Sequence, residues 1–328
     1  MSPIKIEAHI EKRLLARPFR IAGNQWLSIE NLVVQVSDGK YHGRGEAQGV
    51  FYLGETGLSM LEQVSAAADT IQRGISRVEL LAVLPPGGAR NAIDCAIWDW
   101  EAKKSGRSIW ELTDIVPRPV TTVFTIGIEA TAEQMAANAK AAAQYPVLKI
   151  KLDQHVPLQR LSAIRAARPD AKIVVDANQA WSFELLQDLL PRCAELNVSM
   201  IEQPLPRGED AALADFRSPV TLAADESCLD TSELEDASAR YDMINIKLDK
   251  TGGLTEALRL ARQAKARDCQ LMVDNMVGTS LSMAPAFVIA QCCELVDIDG
   301  PLLLQNDCEN GLRYHHGTVD IFDPVLWG

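Results

Sequence analysis

The chain has 328 residues, 47% of them hydrophobic and 23% charged, with a formal net charge of −12 at pH 7. That length holds a large buried core and more than one domain, while the acidic balance argues against a nucleic-acid surface, which needs clustered Lys and Arg. No apolar run is long enough to span a membrane, and the opening MSPIKIEAHIEKRLL has no apolar secretion core, so a cytoplasmic protein is expected.

From residue 3 to about 54 the pattern is strand-like. PIKIEAHIEKRL alternates, and SDGK marks a hairpin turn after NLVVQV. Helical periodicity follows in LSMLEQVSAAADTIQRGI and again in ARNAIDCAIWDWEAKKSG. There Ile93, Ala96, Ile97 and Trp100 form one apolar face and Gly106 gives a stop. Residues 1–116 are therefore predicted to form an α+β domain, with the proline-rich VPRPV as linker. From 117 to 310 strands alternate with helices. TTVFTIGI, VLKIKL, AKIVVDA, SMIEQPL, TLAADE, DMINIKLD, QLMVDNM and ELVDIDGP are the eight strands, and the rhythm predicts a parallel α/β barrel. Residues 311–328 break it and are expected to return to the first domain. The seven cysteines include no C-x-x-C pair. They read as reduced thiols, and no histidine stands in a motif that could activate one.

Five polar groups end successive strands at steps of 25, 26, 23 and 22 residues: Lys151, Asp176, Glu202, Asp225 and Lys247. Such spacing puts each at the carboxyl end of a barrel strand, where catalytic groups of this architecture lie. Lys149 and Lys151 are two apart on one strand and share a face. Two ammonium groups that close are expected to lower the pKa of at least one, towards that of a base. Asp176, Glu202 and Asp225 offer hard oxygen donors without Cys or His, which suits Mg²⁺ or Mn²⁺. Helix-capping acids and solvated lysines are the plain alternative, but capping does not explain lysines in the neighbouring repeats. Lys247 lies four strands on from Lys151, across the barrel mouth. A substrate held between them would lose a proton α to a carboxylate on one face and regain it on the other, its enediolate charge balanced by the metal.

VLKIKL, VVDANQAW, MIEQPL, LAADES and INIKLDKTGG resemble the motifs of the enolase superfamily, in its muconate-lactonizing-enzyme subgroup, over essentially the whole chain. The resemblance implies a capping domain, a (β/α)7β barrel and one Mg²⁺ per subunit. It makes Lys151 and Lys247 the acid/base pair, Lys149 their modulator, and Asp176, Glu202 and Asp225 the metal ligands. Within the subgroup the chain resembles the dipeptide epimerases. VDIDGP carries Asp297 and Asp299, which in those enzymes would bind the substrate α-ammonium group. Thr125 on the first strand, and Asp274, Asn275, Met276 and Thr279 around the end of the seventh, would face the substrate. Trp26 stands where Ala-Glu epimerases carry an arginine, with Arg20 the nearest cation. Trp26 and Asp274 would suit an apolar or cationic side chain better than an acidic one.

The expected activity is Mg²⁺-dependent epimerisation of a dipeptide at the α-carbon of its C-terminal residue. The expected partner is this small molecule, with no nucleic acid or membrane and with homo-oligomerisation allowed. N-acylamino acid racemisation, o-succinylbenzoate synthesis and muconate cycloisomerisation are the alternatives within the subgroup, but their substrates carry no ammonium group for Asp297 and Asp299. A ligand-binding barrel without turnover would be expected to have lost a ligand or base, and all five are present.

Overall fold

The computed structural model describes residues 4–328, so Pro3 at the start of the first strand-like stretch lies outside the described residues. Three antiparallel strands, β1 (Lys5–Ile21), β2 (Asn24–Ser37) and β3 (His42–Gln48), form one sheet in chain order. The SDGK turn joins β2 to β3, its Asp38 carboxylate accepting from the amides of Lys40 and Tyr41. Helices α1 (Gly57–Gln72) and α2 (Arg77–Val83) start at capping boxes headed by Thr56 and Ser76.

Helix α3 (Gly88–Ser105) ends at Gly106, as its sequence predicts, but is buried on more than one side. Ile93, Ala96, Ile97 and Trp100 pack with Leu32 and Val34 of the sheet, whereas Cys95 and Trp98 belong to the core of the barrel. The helix lies directly on β3. A Cβ on Gly43 would come within 2.2 Å of Ala96 O, and one on Gly45 within 2.1 Å of Ala92 O, so only glycine allows this approach.

Eight parallel strands follow: β4 (Phe124–Ile126), β5 (Val147–Lys151), β6 (Lys172–Asp176), β7 (Val198–Glu202), β8 (Thr221–Ala224), β9 (Met243–Lys247), β10 (Gln270–Asp274) and β11 (Leu295–Val296). They are hydrogen-bonded in chain order, and Val123 N donates to Val296 O at 2.9 Å to join the two ends. The curled sheet is the (β/α)7β barrel expected. The connection from β7 to β8 differs from the predicted rhythm, holding only a 3-10 turn at Ala211–Leu213. Pro204, Pro206 and Gly208 precede that turn and disfavour a longer helix.

Alternation along the strands explains the interior. Val123, Val174, Met200, Ala223, Met243, Met272 and Leu295 point inwards and fill one end of the barrel. The next inward position on each strand, two residues on, is polar. The first sheet lies across that polar end: Leu15 bridges Leu304, Gln305 N donates to Leu14 O, and Ile128 N donates to Arg20 O. In the tail, Thr318–Val319 pairs with Val120–Thr121, Trp327 Nε1 donates to Cys95 O at 3.0 Å, and Arg44 reaches Leu326 O at 2.8 Å.

Candidate active site

Strand register brings the predicted groups side by side. Lys151 pairs with Asp176, Asp176 with Glu202, and Lys247 with Asp274. All are buried. Lys151 Nζ lies 2.5 Å from Asp176 Oδ2, and Lys247 Nζ lies 2.7 Å from Asp225 Oδ2. Lys149, one layer deeper, is ringed by Glu202 and Asp274 at 2.8 Å, Asp297 at 3.1 Å and Asp176 at 3.3 Å.

At Lys149 these surroundings act against the expected lowering. Burial by itself lowers the pKa of Lys149, and Lys151 stands close by, but Asp274, Glu202, Asp297 and Asp176 outweigh burial and lift it well above the ordinary lysine value. Lys247 is raised in the same way, against burial, by Asp225, Asp274 and Glu202. Like-charge pairing of lysines loses here to the acids around them. Among those acids, burial raises Glu202, reinforced by Asp176. Asp176 and Asp225 are held down despite burial, by Lys151 with Lys149 and by Lys247 with Lys250 respectively.

The donor set fits a hard cation. Every candidate ligand is a carboxylate oxygen, and Glu202 Oε2 and Asp225 Oδ1 are buried without a hydrogen bond, facing only the ammonium groups of Lys149 at 2.8 Å and Lys250 at 2.7 Å. The tightest carboxylate group is Glu202, Asp225 and Asp274, with oxygens within 4.8 Å of one another. Asp176 is adjacent, but its oxygens are engaged by Lys151 and by Asn178 N at 2.9 Å.

Above the carboxylates, Lys151 and Lys247 line a cavity of about 70 Å³ with Trp26, Asn275 and Met276. The sheet and the loop after β3 supply its other wall. Trp26 meets Phe51 edge to face at 5.1 Å, and Phe51 meets Tyr52 at 5.2 Å. Arg20 is exposed and borders a separate cleft with Thr125 and Glu129.

The remaining predicted residues do not line this cavity. Asp274 does not face the cavity: its Oδ2 is bound to Lys149 and, at 3.0 Å, to both Lys247 and Asn245. Asp297 and Asp299 stand together beyond β11, buried, with Thr125 N donating to Asp299 Oδ2 at 2.7 Å. Burial and their mutual repulsion push Asp297 well up, and burial also raises Asp299. Thr279 caps the helix Ser280–Ala290, and its hydroxyl and amide are both taken by Glu46 of β3, so it belongs to the seam between sheet and barrel.

Residues 131–324 match the family model described as enolase C-terminal domain-like, and residues 5–113 that of the mandelate racemase / muconate lactonizing enzyme N-terminal domain. The chain belongs to the enolase superfamily. One superfamily relative, an L-Ala-D/L-Glu epimerase of Escherichia coli K12, is 40% identical, covering 94% of this chain and 96% of its own. An N-acetyl-D-glutamate racemase of a Pseudoalteromonas species is 38% identical over 90% and 95%. An Agrobacterium tumefaciens enolase family member with homology to dipeptide epimerases, solved with sodium and L-Ala-L-Glu, superposes with TM-score 0.97. It is 42% identical over 99% of this chain and 100% of its own. A Methylococcus capsulatus dipeptide epimerase, solved with Mg and L-Arg-D-Lys, gives 0.91 at 29% identity over 100% and 99%.

Several residues of this superfamily site escaped the sequence reading. Lys250 Nζ lies 2.7 Å from Asp225 Oδ1 and also donates to Asn245 O. Its three-residue offset from Lys247 in INIKLDK was the available signal. Asn245 donates to Glu202 Oε1 at 2.7 Å, and its inward position two residues before Lys247 could have flagged it. Glu226 lines the cavity with Oε2 unbonded, its carboxyl raised to about 8 by burial and by Asp225.

Proposed function

We propose that the chain is a Mg²⁺-dependent epimerase of dipeptides, inverting the α-carbon of the C-terminal residue. One observation carries the reading: Lys151 and Lys247, four strands apart, line the same cavity above buried carboxylates, of which Glu202 and Asp225 lie close together and Asp176 is adjacent. Asp176, Glu202 and Asp225 would hold the cation, which when bound supplies positive charge to the substrate carboxylate. Lys151 and Lys247 would each take or return the α-proton on one face. Lys149, tied to four carboxylates, would keep that charge in balance. Asp297 and Asp299 would receive the α-ammonium group, with Thr125 N orienting Asp299. Trp26, Asn275 and Met276 would border the substrate, and the absence of an arginine from the cavity favours a non-acidic side chain. The relatives that act on or bind dipeptides support the substrate class, and seven free cysteines support a cytoplasmic setting.

Deuterium incorporation at Cα from D₂O, read by mass spectrometry on a mixed dipeptide library with Mg²⁺, tests the reading. No exchange on any dipeptide would overturn it. The second reading, racemisation of an N-acylated amino acid, draws on the likeness to the N-acetyl-D-glutamate racemase. Adding N-acetyl amino acids to the library separates the two.

A further inference from the structure

We infer that Gln203 is the positioning residue that sets the spacing of Asp176, Glu202 and Asp225. It directly follows Glu202, is completely buried, and has φ of 33°. That is the left-handed region, which a residue with a Cβ rarely adopts unless its surroundings hold it there. The surroundings are on all sides. Gln203 N donates to Ala223 O at 2.9 Å, and Gln203 O accepts from Gln179 N at 2.9 Å. Its side-chain Oε1 accepts from Asp225 N at 2.9 Å and from Ser227 N at 3.0 Å. Its Nε2, with two hydrogens to donate, lies within hydrogen-bond distance of Leu205 O, Ser227 Oγ and Tyr241 Oη, at 2.9, 2.8 and 3.1 Å.

One residue thus ties together the chain at the ends of three adjacent strands, β6, β7 and β8, the first two ending in Asp176 and Glu202 and the third followed directly by Asp225. The β6 end is turned by left-handed residues as well, Asn178 at φ 43° and Gln179 at 66°. The β7 main chain meets it a second time, through Ala177 N to Glu202 O at 3.1 Å. The side-chain oxygen is what Asp225 needs. Without it, the amides of Asp225 and Ser227 would be buried without an acceptor, and the backbone bearing the Asp225 carboxylate would shift to find one. The amide nitrogen anchors the same side chain through Tyr241, whose hydroxyl donates to Asp210 at 2.8 Å. A polar residue that merely filled the core would not require a left-handed backbone directly beside a candidate ligand.

The inference rests on the reading that these carboxylates bind a divalent cation, and titration with Mn²⁺ tests the two separately. If the wild-type chain binds no Mn²⁺, the cation reading fails. If it binds, Gln203→Ala is expected to weaken the Kd by about 10- to 100-fold, as loss of residues that orient ligands typically does. Its kcat should recover towards wild type at saturating metal. Gln203→Glu keeps the oxygen that Asp225 N and Ser227 N need, and is expected to hold the metal more tightly than Gln203→Ala. Gln203→Asn is too short to span both strand ends and should match the alanine variant, so it decides the matter if the alanine variant does not fold. A wild-type Kd in folded Gln203→Ala or Gln203→Asn overturns the inference, as does equal loss in Gln203→Glu.

Discussion

Lys151 on β5 and Lys247 on β9 come from strands four apart and border one cavity. A carbon held between them meets one amine on each face. Lys151→Ala and Lys247→Ala should therefore each abolish inversion, a loss of about 10²- to 10⁴-fold for a single acid/base group. Each variant should still exchange the α-proton of one stereoisomer with D₂O. NMR on the separate L- and D-forms reads this, and normal inversion by both variants would rule out a two-base mechanism.

Glu202→Gln keeps the volume but removes the charge of a buried candidate ligand that also pairs with Lys149. Mn²⁺ affinity and activity should fall together, by about tenfold or more, while circular dichroism stays unchanged. Undiminished activity after exhaustive chelation would refute the metal assignment.

Asp297 and Asp299 make a charge-based test of substrate class. A charge-assisted bond to an ammonium group is worth about 1.5–3 kcal/mol, so N-acetylating a good dipeptide should lower kcat/KM at least about tenfold. Asp297→Asn should narrow that gap by harming the free dipeptide more. A preference for the acetylated compound would move the protein to the racemase reading. On the cavity side, dipeptides ending in an apolar or basic residue should exceed Ala-Glu in kcat/KM, and Trp26→Arg should shift the ratio towards Ala-Glu.

Asp249 sits where the sheet meets the barrel, accepting from Asn91 Nδ2 and Gln48 N at 3.1 Å. Burial raises its carboxyl to about 7 from 3.8. The fold therefore binds its proton more tightly than the unfolded chain does. The stability this gives is present at low pH and lost as pH rises from about 4 to about 7. At about 1.4 kcal/mol per unit the loss is at most about 4 kcal/mol. The stability of wild type relative to Asp249→Asn should thus decline between pH 4 and pH 8 in denaturant titrations. A flat difference would contradict the buried, protonated state.

Much of the barrel was legible because local patterns carry it. A two-residue alternation puts Lys149 and Lys151 on one face, and a near-constant interval puts the polar groups at successive strand ends. Contacts across the barrel were not legible. Asp274 is bound to Lys149, 125 residues away. The hydroxyl of Thr279 is claimed by Glu46, 233 residues away. No periodicity reports such partners, because they depend on where the closed sheet and the covering layer bring distant residues. The raised pKa of Lys149 was missed for the same reason, since its carboxylates come from β6, β7, β10 and the end of β11.

Helix α3 has consequences for how the molecule comes apart. Its Ile93 and Trp100 serve one core and its Cys95 and Trp98 another, while Trp327 closes over it from the far end of the chain. Neither half can melt without stripping a face of this helix and exposing large apolar side chains to water. Heat should therefore unfold the chain in one cooperative transition, and residues 4–116 expressed alone should not hold a native fold. Two resolved calorimetric peaks would show that the halves are independent after all.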